Sequence, residues 1–216
     1  MASDQEKTQL TNSLKTTVKI LNECGAKYRI LGSTLVAAYV NRIFRRIGDL
    51  DLLLDNKSKK CVFQKLEKEG FQFTKQRWGV LSWDEAYKKE HLGLSILLIG
   101  DFYPDYFSYR FLAFFELRIT NAYLKSTKYQ FSGVTFNGIP VSSVISGIKQ
   151  SFLNPKRKID NKALGEAKKK VKVVTHNQIN IFFFGIKIPY LYDVFSFFYN
   201  IYGGIRVILG KKYEAW

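Results

Sequence analysis

Residues 31–55 read LGSTLVAAYVNRIFRRIGDLDLLLD and place two acidic side chains, Asp49 and Asp51, at alternate positions inside a run of leucines. Aspartate is depleted from strands, because its short polar side chain competes for the backbone and packs poorly. Alternate strand residues project to one side, so the two carboxylates would point together while Leu50 and Leu52 face a core. Two such groups repel unless a cation lies between them, and Mg²⁺ binds through a few carboxylates plus substrate phosphates. Gly32 and Ser33, at a strand-to-helix junction, offer the complementary half. Glycine permits close backbone approach, and a serine at a helix start can cap the helix or donate to a phosphate at its positive end. Taken singly, Gly-Ser is a common turn and Asp-x-Asp can occupy a solvated strand edge. In the order strand, Gly-Ser, helix, Arg, Asp-x-Asp, apolar run, they point to a metal site beside an anion cradle.

The elements that must hold these residues are readable around them. Residues 5–24 carry Leu10, Leu14, Val18 and Leu21 at helical spacing, ending near Gly25. The strand KYRIL follows. The segment TLVAAYVNRIFRR predicts a helix with a basic last turn suited to the helix dipole, and DLDLLL a strand. A helix over 58–69, a hairpin around 74–79 and the strand LGLSILLIG come next. In the aromatic stretch 102–115, Phe107, Phe111, Phe114 and Phe115 fall at helical spacing and predict a core-facing stripe. QFSGVTFNGIPVSS predicts a strand with a turn at Asn137 and Gly138, then a helix from Ser142 broken at Asn154 and Pro155, then a second basic helix, DNKALGEAKKKVK. The apolar, aromatic stretch 179–204 is interrupted by Lys187, Pro189 and Asp193, too early for a membrane span, and predicts a buried helix or helical hairpin.

A chain of 216 residues with 46% hydrophobic content can bury a real core, which excludes a disordered protein. Its net charge of +16 favours an anionic partner, and residues 109–216 contribute +12 of that total. Cys24 and Cys61 show no metal-ligand spacing and no secretory signal accompanies them, so buried free thiols in a reduced cytoplasmic protein are the expectation. His91 and His176 belong to no recognisable triad or metal cluster.

The segment 31–55 resembles the signature of the polymerase-beta-like nucleotidyltransferase superfamily, a Gly-Ser followed by Asp-x-Asp on the second strand. Within it, the similarity is greatest to AbiEii-type nucleotidyltransferases, known largely as toxins of toxin–antitoxin systems, whose basic residue ahead of the Asp pair matches Arg45. More weakly, IPVSSVISGIKQSFLNPKRKIDNKALGEAKK resembles the later part of such proteins. There Lys149 would be the nucleotide-binding lysine and Asp160 an additional catalytic acid; a solvated helix lysine is an equally good reading of Lys149. Where many members carry a third carboxylate on the next core strand, this chain has Ser95. Asp101 shares its parity but lies about 20 Å further along an extended strand.

The resemblance implies an α+β fold: a nucleotidyltransferase-like mixed sheet with flanking helices over residues 1–139, and a basic, aromatic C-terminal helical region over 140–216 packing on that core. It implies transfer of a nucleoside monophosphate from a nucleoside triphosphate, with Mg²⁺ (or Mn²⁺) on Asp49 and Asp51, and with Gly32, Ser33, Arg45 and Lys149 binding the nucleotide. Lys156, Arg157, Lys158, Lys168, Lys169, Lys170 and Lys172 suit a nucleic-acid backbone, so RNA, such as a transfer RNA 3′ end, ranks first as acceptor. A protein hydroxyl ranks second and a small molecule third, and an antitoxin protein is a further implied partner. The rival from another class is a catalytically silent protein on the same scaffold that binds nucleic acid or, less favoured, an anionic membrane surface.

Overall fold

The computed structural model describes residues 4–78, 83–90, 92–100, 103, 105–111, 114–150, 153–171 and 178–210. Helix α1 (Asp4–Glu23) buries Leu10, Leu14, Val18 and Leu21, as their spacing predicts. Strand β1 (Tyr28–Leu31) runs directly into α2 (Gly32–Tyr39), and a loop leads to β2 (Asp49–Asp55). α2 is shorter than its sequence suggests. Asn41 takes a left-handed conformation at φ 52°, which stops the helix and leaves Arg42, Arg45 and Arg46 in the loop rather than at a helix C-terminus.

After α3 (Lys59–Lys68), β3 (Gln72–Trp78) and β4 (Trp83–Lys89) pair antiparallel, as the expected hairpin requires; its connection at 79–82 lies outside the described residues. β5 (Leu92–Ile99) runs antiparallel to β4 and parallel to β2. The expected aromatic helix is a second hairpin, β6 (Tyr106–Phe111) with β7 (Phe115–Thr120). Phenylalanine and tyrosine favour pleated, half-buried surfaces, so the helical spacing there was coincidental.

A single turn, α4 (Asn121–Leu124), precedes β8 (Thr127–Phe131) and β9 (Val134–Gly138). Their turn falls at Ser132 and Gly133 rather than at Asn137 and Gly138; Gly138 instead ends β9 beside Ile30 of β1. Helices α5 (Val141–Gln150) and α6 (Pro155–Leu164) follow, and the Asn154 side chain caps α6 by accepting from the Lys156 backbone N–H. The second basic helix therefore starts at Pro155 and gives way to a 3-10 turn over Gly165–Lys170.

The C-terminal stretch departs most from expectation. Residues 179–188 are a β-hairpin, β10 (Ile179–Phe183) and β11 (Ile186–Ile188), and only then does α7 (Leu191–Ile208) begin. Phe184 and Gly185 both have positive φ, 46° and 81°, the two-residue turn that matches the twist of paired strands.

Among the described residues the strands form a seven-stranded sheet, β3-β4-β5-β2-β1-β9-β8, and a four-stranded sheet, β11-β10-β7-β6. The smaller sheet joins strands from both sides of the expected boundary at 139/140. Cores lie on both faces of the larger sheet. One contains the apolar face of α1 with Leu50, Leu52, Leu54, Leu94 and Ile96. The other contains Leu35, Val36, Leu53, Ile99, Val144, Ile145, Ile148 and Leu164, contributed partly by α2, α5 and α6. No helix among the described residues is long and apolar enough to cross a membrane.

The expectation of free thiols is corrected by a Cys24–Cys61 disulfide with Cα atoms 5.9 Å apart. α1 and α3 pack side by side, which brings together two cysteines 37 positions apart in sequence. The argument for a reducing compartment loses its support with the free thiols. A loop of this length is stabilised by about 3–4 kcal/mol in the chain-entropy description. The double variant Cys24→Ser/Cys61→Ser is therefore expected to lose roughly 2–4 kcal/mol of unfolding free energy, read as a lower urea midpoint. Reductant should lower the midpoint of the parent protein and leave that of the variant unchanged.

Candidate active site

The face on which Asp49 and Asp51 stand follows from alternation along β2. Leu50, Leu52 and Leu54 enter the core beneath α1, while Leu53 enters the core beneath α2, α5 and α6. The odd-numbered positions therefore share the second face. Burial rises steadily along it: Asp49 is exposed, Asp51 half-buried, Leu53 and Asp55 buried. The two carboxylates thus occupy the open end of a face whose other end is closed by helices, with α-carbons about 6.6 Å apart.

Their neighbours on β5 are small. Gly93 lies in register with Asp49 and Ser95 with Asp51. A side chain at Gly93 would start 3.5 Å from Asp49 Cβ, so this position borders the base of the first aspartate side chain. Gly93 borders the candidate site without having been singled out from the sequence, although its parity with Ser95 is visible in LGLS. Among the described residues no group of three or more His, Cys, Asp or Glu side chains is placed to hold a metal. The paired carboxylates nevertheless fit a hard divalent ion that completes its shell with water and phosphate, the habit of Mg²⁺.

On the β1 side, Leu31 is in register with Asp51, and the chain turns there into α2. Gly32 has a φ of 66°, and a Cβ on it would collide with Asp51 Oδ2. Both facts demand glycine, and they place the Asp51 carboxylate against the first residue of α2. Leu31, the residue before α2, offers no side-chain cap, and the carboxylate of Asp51 lies against the first residue of the helix.

Ser33 and Arg45 meet a partner far away in sequence. Asp160 of α6 is fully buried, and Ser33 Oγ donates to its Oδ2 at 3.0 Å. Arg45 Nε donates to its Oδ1 at 2.8 Å, and Arg157 Nη1 to its Oδ2 at 3.0 Å. Arg45 Nη2 also donates to Ser33 Oγ, and its Nη1 to the Arg46 carbonyl at 2.8 Å. Asp160, expected as an additional catalytic acid, is thus enclosed beside the start of α2 with its oxygens engaged by two guanidiniums and a hydroxyl. Ser33 and Arg45 are likewise turned toward Asp160. Two cations against one anion leave a net positive charge behind Gly32 and Ser33, the sign that attracts a phosphate.

Lys149 is exposed in the last turn of α5, a helix that packs on α2 and α6. Lys156, Lys158 and Lys169 are exposed, and Lys168 donates to Asn161 at 3.0 Å. Arg157 is committed to Asp160 rather than to solvent. The side chain of Lys170 and all of Lys172, Asp101, His91 and His176 lie outside the described residues.

No protein-family model and no curated protein matches this chain. Solved structures do. The lincosamide antibiotic adenylyltransferase LnuA, lincomycin-bound, superposes with a TM-score of 0.57 at 16% identity, covering 79% of this chain and 99% of that one. ANT(2″)-Ia in complex with adenylyl-2″-tobramycin gives 0.54 at 13% identity, covering 74% and 92%. A solution structure of ANT(2″)-Ia gives 0.54 as well, covering 76% and 88%. The chain has the α+β nucleotidyltransferase fold, with α7 beyond its larger sheet. None of these similarities points specifically to AbiEii-type proteins.

Asp160→Asn would strand two guanidiniums and is expected to cost on the order of 3 kcal/mol, measured by urea denaturation. Gly32→Ala and Gly25→Ala form a controlled pair, since Gly25 has a similar φ of 58° with nothing within 4 Å of its would-be Cβ. Each should lose about 1–2 kcal/mol from backbone strain. Gly32→Ala should lose measurably more, through displacement of Asp51; equal losses would refute that close approach.

Proposed function

We propose that this protein is a divalent-cation-dependent nucleotidyltransferase, moving a nucleoside monophosphate from a nucleoside triphosphate to an acceptor hydroxyl. The observation that carries the proposal is the placement of Asp49 and Asp51 on one open sheet face, with Asp51 against Gly32, the first residue of α2. Asp49 and Asp51 would hold Mg²⁺ or Mn²⁺, which when bound neutralises phosphate charge and activates oxygens for in-line displacement. The backbone at Gly32 and Ser33 receives the triphosphate tail at the positive end of α2. The Arg45–Asp160–Arg157 cluster holds that end in place and adds positive potential behind it, so its contribution is positioning as well as attraction. In the transfer, the acceptor oxygen bonds to the α-phosphorus as the bond to pyrophosphate breaks.

For the acceptor, the exposed lysines of α6 and the following turn favour an RNA backbone. A small hydroxylated molecule is supported by the near-complete coverage of LnuA and ANT(2″)-Ia, whose structures carry lincomycin and adenylylated tobramycin. A toxin role with an antitoxin partner rests on the sequence resemblance of residues 31–55 alone. Ser95, beside Asp51 where a third carboxylate would stand, favours the competing reading of a scaffold without activity.

Incubation with each labelled nucleoside triphosphate, Mg²⁺, and either total RNA or a panel of hydroxylated antibiotics separates these readings. Label is expected on one acceptor class, abolished by chelator and lowered at least about a hundredfold in Asp49→Asn/Asp51→Asn, with an unchanged circular dichroism spectrum. Label on no acceptor, with no Mg²⁺-dependent nucleotide binding, would establish the inactive scaffold.

A further inference from the structure

α7 shows solvent an apolar face where an ordinary surface helix shows a polar one. Such a helix buries an apolar stripe and shows solvent its polar side. Here the side facing the protein holds buried Asn200 and Gly203, and Gly204 packs so closely that a Cβ would sit 2.9 Å from Leu153 Cδ1. The opposite side carries Val194, Phe198, Tyr202 and Ile205, at spacings of three and four, continued by Leu209 just past the helix end, and all are exposed. Phe198 is 63% and Leu209 66% exposed. The adjoining β10–β11 hairpin adds a second apolar projection, with Phe184 72% and Ile186 71% exposed at its turn. At 150–250 Å² per large side chain, the two elements show solvent on the order of 1,000 Å² of apolar surface, well above what a soluble monomer ordinarily leaves uncovered.

We propose that α7 and the hairpin tip dock the protein on the surface of an anionic lipid bilayer. Charge selects this occupant. The molecule carries +16, of which +12 lies in residues 109–216, so a second copy approaching the patch would be repelled at long range while anionic headgroups attract it. Cations also border the apolar face. Exposed Lys187 lies within the hairpin, and Arg206 of α7 stands 5.9 Å from the Tyr202 ring centroid. Asp193 is the one acidic residue of 178–210. Dimensions agree: 18 residues make a helix about 27 Å long that can lie in the headgroup plane, and it is not apolar enough to span. Phenylalanine and tyrosine with flanking lysine and arginine are the side chains that settle at that depth. This inference is independent of whether Asp49 and Asp51 support catalysis.

The test is co-sedimentation of the full chain with phosphatidylcholine vesicles, with and without a minority of phosphatidylglycerol. Binding is expected to the anionic vesicles, about tenfold or more weaker to the neutral ones, and reduced by salt. Phe198→Ser/Ile205→Ser on α7 and, separately, Phe184→Ser on the hairpin should each weaken it about tenfold, with thermal melting unchanged because these side chains are exposed. Absence of binding to anionic vesicles, equal binding to both vesicle types, or full binding by both variants would overturn the proposal. So would a concentration-dependent dimer that forms without vesicles and is lost in the α7 variant, which would assign the face to a second copy.

Discussion

β2 is required to be two things at once. One side must bury Leu50, Leu52 and Leu54 beneath α1, and the other must bury Leu53 yet present Asp49 and Asp51 where the helical cover ends. Strict alternation makes both demands compatible, and a slip of one residue would drive carboxylates into the core beneath α1. The central position of β2, antiparallel to β1 and parallel to β5, fixes that register from both sides. Gly32, just past the end of β1, and Gly93 on β5 flank the acids from these two sides. Absence of a side chain at Gly32 admits Asp51, and Gly93 lies against the base of Asp49.

Asp160 gives the C-terminal helices a role in the site although they contribute nothing to the carboxylate pair. A fully buried carboxylate is expensive to desolvate, and here two guanidiniums and a hydroxyl offset that cost. The ligands come from three places: the start of α2, the loop before β2, and the first turn of α6. Once assembled, they fix the orientation of α2 relative to the strands it connects. The loop that interrupts the expected long helix is the segment that carries Arg45 to Asp160.

Sequence patterns anticipated the geometry of the candidate site where the relevant interactions are local. Alternation in DLDLLL, the strand-to-helix junction at Gly32 and the apolar stripe of α1 all depend on neighbours a few residues away. The partner of Ser33 and Arg45 was not legible, since Asp160 lies 127 positions beyond Ser33 and is joined to it only by the packing of α5 and α6 on α2. The disulfide was hidden for the same reason. The aromatic segments misled differently. Phenylalanine-rich runs at 102–115 and 179–188 satisfy helical spacing and strand propensity alike, and the deciding interaction is the pairing of β7 with β10 across some sixty residues. An exposed apolar helix such as α7 is equally unreadable from periodicity, which reports that a stripe exists and not which way it faces.

The cystine joining the end of α1 to α3 encloses β1, α2 and β2 entirely, so Gly32, Ser33, Arg45, Asp49 and Asp51 all lie within one covalent ring. Backbone cleavage at any single point in that ring leaves both fragments tethered. Loosening of the outer hairpins or the C-terminal segment likewise leaves its ends clamped together. The part of the molecule that must keep two repelling acids side by side is also the part whose ends cannot drift apart.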